Sequence, residues 1–153
     1  MGGYREHVLD GASAVELVVA LYDGIIRFLY AAIAAVERGD ADGRRMAVKR
    51  ALDIIIHLQA RLRMDVGGRP AQALSEYYAS IFAVILQASQ SASAEKFAHA
   101  IDCVRNVRDA WREVEKNPGT QPDLAQFSAA AESRTGSGAD AWTDGASSSN
   151  WTA

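Results

Sequence analysis

From Ser13 to Arg38 the chain reads SAVELVVALYDGIIRFLYAAIAAVER, with no proline and no turn signal, and a chain that contains such a run must build itself around a long helix. Ser13 followed by Glu16 has the form of a capping box, which predicts a helix start at about residue 13. Gly39 supplies the residue that ends helices in a left-handed conformation, and Arg38 sits near the negative pole of the dipole. Placed at helical spacing, Glu16, Asp23, Arg27, Glu37 and Arg38 gather on one side. Leu17, Leu21, Ile25, Val18, Leu29, Tyr22, Ile33, Ile26 and Val19 cover an apolar arc of about 200°, near twice the stripe of an ordinary surface helix. A helix with so wide an arc either has several neighbours or leaves surface for another chain.

The rest of the chain supplies the neighbours. A second helix is expected from Asp40 or Asp42 to about Met64, centred on Val48, Ala51, Ile55, Leu58 and Leu62, with Ile54 and Ile56 flanking that stripe on opposite sides. Arg50, Asp53, His57 and Arg61 form its polar face. Gly67-Gly68 is read as a turn and Pro70 as the first position of a third helix reaching about Ser91. That helix aligns Leu74, Tyr77, Tyr78, Ile81, Ile85 and Ala88, while Phe82 and Leu86 stand off the stripe. A fourth helix, from about Ser93 to Asn117, carries the single stripe Phe97, Ala100, Ile101, Val104, Val107 and Trp111 before Pro118 stops it. Four such helices joined by short turns predict an all-α fold, an antiparallel up-and-down four-helix bundle over residues 13–117.

Two flanking segments remain. Residues 1–12 carry Tyr4, Val8 and Leu9 on one side of a short helical turn, and burial of three apolar side chains favours a segment docked over an apolar groove of the body rather than frayed from it. From residue 118 to 153 the composition turns to Gly, Ser, Thr, Ala and Asp without period, which predicts a disordered acidic tail in which Trp142 and Trp151 are anomalous. Arg134 stands there against Asp123, Glu132, Asp140 and Asp144, so the net charge of −3 resides in the tail and the body is neutral. A neutral body offers no electrostatic footprint for nucleic acid. The lone Cys103 suits a reducing compartment, no secretory leader is visible behind MGGYREHVLDG, and the charges of the first helix argue against membrane insertion; a cytoplasmic protein is expected.

Motifs for catalysis are missing: no Cys-x-x-Cys, His-Glu-x-x-His, phosphate loop or Gly-x-Ser-x-Gly occurs. Glu95, His99, Asp102 and Cys103 share one helix surface and point outward, unlike the inward Glu-x-x-His pairs of metal-binding bundles, so neither metal nor cofactor is expected. His57, with Arg50 and Arg61 one or two turns away, gives an alternative reading as a histidine phosphotransfer module, against which stands His57-Leu58-Gln59 without the usual Lys and Gly. The positive signal is surplus apolar surface at Val19, Ile26, Ile33, Ile54, Ile56, Phe82 and Leu86, which fits a groove for an amphipathic helix from another protein. Homodimerisation is the other use for such a surface, and a monomer or weak dimer is expected.

The stretch from Ala12 to Leu29, ASAVELVVALYDGIIRFL, closely resembles the opening helix of the FliS family of flagellin-specific export chaperones, whose pattern is Thr-Ala-Ser-Pro, Glu-Leu, then Leu-Tyr-Asp-Gly-Ala-Ile-Arg-Phe-Leu. Asp40 after Glu37-Arg38-Gly39, the Gly67-Gly68 pair, and Arg108-Asp109-Ala110-Trp111 are similar to that family in order and spacing, so the likeness spans about residues 4–116. Gly11 and Ala14 depart from it, and a single tyrosine, Tyr4, stands in a shorter lead. The resemblance implies a cytoplasmic, non-enzymatic four-helix chaperone that holds the disordered C-terminal segment of flagellin, prevents early polymerisation and delivers it to export gate components of the type III pathway. Within that implication, the seven surplus side chains are the expected client contacts, and Tyr4, Val8 and Leu9 the expected cover of the empty groove.

Overall fold

The computed structural model describes residues 2–62 and 64–116, with side chains from residue 14 onward except 63–70 and 115. Four helices follow one another: α1 (Gly2–Glu37), α2 (Ala41–Ala60), α3 (Met64–Gln90) and α4 (Ala94–Lys116). α1 packs against α2 and α4, α3 packs against the same two, and α1 and α3 face each other across the diagonal. The predicted all-α four-helix bundle is the fold observed.

Two helix starts differ from expectation. α1 begins at Gly2, so Ser13 lies inside a continuous helix and its capping box has no orphan amides to serve. The backbone of residues 2–12 extends α1, and the side chains of Tyr4, Val8 and Leu9 lie outside the described residues. α3 begins at Met64 and runs through Gly67-Gly68 and Pro70; in the second turn the proline costs the hydrogen bond that its missing amide would have made and crowds the carbonyl one turn before it, yet the helix continues. α2 correspondingly ends at Ala60, before the predicted Met64. Residues 117–153, where the tail is expected, lie outside the described residues.

The turns are closed by local hydrogen bonds. After α1, Gly39 adopts φ 70°, its amide donates to the carbonyl of Val36 at 3.1 Å and that of Asp40 to Ala35 at 2.8 Å, a Schellman motif. Asp40 then caps α2, its carboxylate accepting the amide of Gly43 at 2.8 Å and Arg38 at 2.9 Å. The Gly43 amide first, and Arg38 second, hold the Asp40 carboxyl below its ordinary range. A Cβ at position 43 would collide with that carboxylate, so the cap depends on the glycine. The α3–α4 turn repeats the device with Ser93 bonded to Ala88 at 3.0 Å and Ala92 to Ser89 at 3.2 Å, but the left-handed residue is Ala92, at φ 47°.

The core stripes fall where helical periodicity puts them. Ile25, Leu29, Ala51, Ile55, Tyr77, Ile81, Ile85, Phe97, Val104 and Val107 are all buried. α1 lies closer to its two neighbours than α3 does. Its contacts explain this: Ala32, Ala35, Ala47, Ala51 and Ala100 are buried alanines that let backbones approach, and the Cδ1 of Ile54 stands 3.1 Å from where a Cβ on Gly24 would be. α3 also buries Ala71 and Ala88, but between them it presents the adjacent Tyr77 and Tyr78 with Ile81, large side chains that accompany its wider spacing. Because α1 is flanked on two sides, most of its wide arc is consumed by packing: Val19 and Ile26 are 9% and 6% exposed and Ile33 is half-buried against the core, while Leu17 stays 40% exposed. The expectation that Val19, Ile26 and Ile33 stand outside the core is corrected accordingly.

Replacing Ala92 by glycine removes the strain of a left-handed Cβ and is expected to stabilise the protein by about 1 kcal/mol. A urea titration of the parent and Ala92→Gly reads this directly, as a rise in midpoint without change of slope.

Candidate functional site

Between α2 and α3, the loosely approached pair, a groove of about 470 Å³ opens to the surface. Ile55, Ile56, Gln59 and Ala60 line it from α2 and Tyr78, Ala79 and Phe82 from α3. Ile55 and Tyr78 form its floor, being 2% and 4% exposed, while Ile56 stands on the rim at 54%. Ala60 and Ala79 are too small to fill the space between the larger side chains, which is why a depression remains. Nearby, Gln59 Nε2 donates to Ser75 Oγ at 2.7 Å and ties the two helices together.

Of the seven surplus side chains predicted to meet a client, the groove gathers two, Ile56 and Phe82. Leu86 lies one turn beyond Phe82 on α3 and is 38% exposed. Ile54 points to the other side of α2, against Gly24 of α1, and is half-buried there. Val19, Ile26 and Ile33 belong to the packing of α1. Ile55, Gln59, Ala60, Tyr78 and Ala79 complete the groove and were not singled out by sequence. Ile55 and Tyr78 read as core, and two surface alanines carry no periodic signal.

Beneath the groove lies a polar cluster that joins three helices. The Tyr78 hydroxyl shares a 2.6 Å hydrogen bond with that of Tyr22 on α1, and Trp111 Nε1 on α4 donates to Tyr22 Oη at 3.1 Å. One residue along, Asp23 accepts Arg108 Nη1 at 2.8 Å and lies 3.6 Å from Arg112. Burial opposes the charge of Arg108, yet its bonds to Asp23 and Asp109 outweigh that and raise its pKa. Tyr77 donates separately to the Cys103 carbonyl at 2.8 Å. Burial, with the Tyr78 phenol, pushes Tyr22 far above the ordinary tyrosine value; burial, with Cys103 and then Tyr78 beside it, does the same to Tyr77, and burial brings Tyr78 up to about 12. Leu21-Tyr22-Asp23-Gly24 on α1 and Arg108-Asp109-Ala110-Trp111 on α4 therefore form one device: the two central residues of the first block meet the two end residues of the second.

The alternative centres find less support. His57 is exposed in the last turn of α2, but the Arg50 guanidinium lies 5.8 Å from the centroid of the Phe28 ring, turned toward α1. His99 Nε2 is 3.7 Å from Cys103 Sγ, and among the described residues no group of three or more His, Cys, Asp or Glu could hold a metal ion. By length and composition alone residues 14–37 could cross a membrane; here they are the core helix between α2 and α4.

Comparison with known proteins points one way. Residues 2–118 match the family described as Flagellar protein FliS. A flagellar secretion chaperone FliS of Campylobacter jejuni is 31% identical over 74% of this chain and 89% of its own length. Proteins of the same description from Vibrio cholerae and Salmonella typhimurium are each 30% identical, over 69% and 71% of this chain and 78% and 82% of theirs.

Removing one hydroxyl tests the polar cluster. Tyr22→Phe leaves the Trp111 N–H and the Tyr78 hydroxyl without their shared partner and is expected to cost about 1–3 kcal/mol in urea unfolding at neutral pH. The raised phenol pKa values set a pH dependence whose sign is fixed: unfolded tyrosines ionise near 10.0 while Tyr78 holds its proton to about 12. Stability is therefore full below pH 10 and declines as pH rises through that interval, a fall measurable as urea midpoint against pH and shallower in Tyr78→Phe.

Proposed function

Because the chain belongs to the FliS family of flagellar secretion chaperones, we propose that it binds the disordered C-terminal segment of flagellin in the cytoplasm, keeps it from polymerising and presents it to the export gate. The observation that carries this reading is the open apolar groove between α2 and α3, with Ile56 exposed on its rim and Phe82 along its wall. A helical segment with apolar residues at i, i+3, i+4 and i+7 is what such a groove accommodates. Leu86 continues the same side of α3 and extends the contact by a turn. Val19 and Ile26 are committed to the core of the free chain, and this reading assigns them no client contact. The chaperone does no chemistry; its work is differential affinity, with burial of a few anchors set against the ordering of the client.

Titration with a peptide from the C-terminus of the same organism's flagellin, followed by calorimetry and far-UV circular dichroism, should show saturable binding with helix gained by the peptide. Ile56→Asp should keep the helix signal of the free protein, since Ile56 is half exposed, and weaken binding at least tenfold, about 1.4 kcal/mol. Undiminished affinity in that variant overturns the groove as the binding surface.

A further inference from the structure

The groove lies within reach of a part of this chain that the family match leaves out. The match ends at residue 118, and residues 119–153 follow it with Trp142 and Trp151 set among Gly, Ser, Ala and Asp. We propose that the tail around Trp142 docks in cis in the α2–α3 groove and must be displaced before another segment can bind there. The docking itself stands on the groove and the reach of the tail; only the identity of the displacing segment rests on the function proposed above.

The placement of α4 supports this occupant. Trp111 reaches Tyr22, and Tyr22 reaches Tyr78, so Trp111 stands at the level of the groove floor. Lys116, where α4 ends, is five residues further on, about 7.5 Å along the axis. α4 is the neighbour of α3, so the lateral step to the far side of α3 is about one helix diameter, on the order of 10 Å. Even at the compact dimensions of a Gly-rich coil, the 26-residue step from Lys116 to Trp142 has a root-mean-square span of about 28 Å, enough to reach the groove without being stretched. A tether matched to its span gives the tail a high effective concentration at the groove, on the order of millimolar. The groove is apolar, and Trp142 is the kind of side chain that gains most from entering it, with small Ala141 and Thr143 beside it. Arg61, exposed directly after groove-lining Ala60, offers the flanking Asp140 and Asp144 a cation at the rim.

The full-length protein labelled with 5-fluorotryptophan tests this by fluorine NMR, with Trp142→Phe identifying the resonance. The expected result is a Trp142 signal displaced from that of the free amino acid, which returns toward it in Ile56→Asp and on titration with the flagellin peptide. Trp142→Ala should bind that peptide at least twofold more tightly, the factor that follows when the tail closes the groove in half or more of the molecules. A Trp142 signal at the free position in both the parent and Ile56→Asp overturns the proposal, as does a displacement that grows with protein concentration, which assigns the groove to a second copy. Equal peptide affinity of parent and Trp142→Ala overturns the competition while leaving the flagellin reading intact. A peptide that binds neither, with Trp142 still released by Ile56→Asp, supports the docked tail and removes the flagellin reading instead.

Discussion

The hydrogen bond between the Tyr22 and Tyr78 hydroxyls, 2.6 Å across the diagonal of the bundle, is the constraint on which the remaining structure depends. α1 and α3 do not pack backbone to backbone, so their relative height is set by side chains that meet in the centre. Phenol hydroxyls placed there must find partners or forfeit their hydration. Only one axial register brings Tyr22, Tyr78 and the indole of Trp111 together, and the Asp23–Arg108 pair one residue along repeats the instruction between α1 and α4. Apolar packing tolerates sliding by a turn; a satisfied polar cluster does not.

Much of this is legible in the sequence. The number and order of helices, the core stripes of α2, α3 and α4, the Gly39 stop and the Asp40 start follow from period and capping chemistry, which are local. The helix starts at Ser13 and Pro70 were misplaced because a capping box and an N1 proline state a preference for beginning a helix and say nothing against one already under way. Ser13 is compatible with a helix interior, and Pro70 within the second turn of α3 costs a backbone bond and crowds the turn before it without ending the helix. The wide arc of α1 was read as surplus when it was the sign of two neighbours. A helical wheel orders residues by angle but does not count the helices that face them. Ile54 and Ile56, nearly opposite on α2, show the same point: one meets Gly24 of α1 and the other is left on the groove rim.

The groove itself was only half visible for a related reason. Its rim residues, Ile56 and Phe82, are large and apolar at positions off the core stripe, and that is a sequence signal. Its depth comes from Ala60 and Ala79, whose significance is that they fail to fill space, and from how far α3 stands from α2, which no local pattern encodes. The likeness to a known family reached the right class of protein without locating the groove, because Leu21-Tyr22-Asp23-Gly24 and Arg108-Asp109-Ala110-Trp111 are the parts that hold α1 to α4. They build the frame and reach the groove through Tyr78.

That last link gives the architecture a division of labour. α1 approaches α2 and α4 closely over alanines, so those interfaces are dense and have little room for a guest. α3 carries two adjacent tyrosines and a phenylalanine, volumes that cannot be accommodated at alanine distance, so it is held off and the seam with α2 stays open. A seam held open in this way is ordinarily weak, yet here its floor is anchored by Tyr78 to Tyr22 and through it to Trp111, so the groove has a hydrogen-bonded base beneath an exposed apolar rim. An apolar side chain can enter over Ile56 and Phe82 without disturbing the hydroxyls beneath. An open α2–α3 seam therefore costs little of the packing that defines the fold, because the helix pair that is loosened is the pair whose register is fixed from the other side.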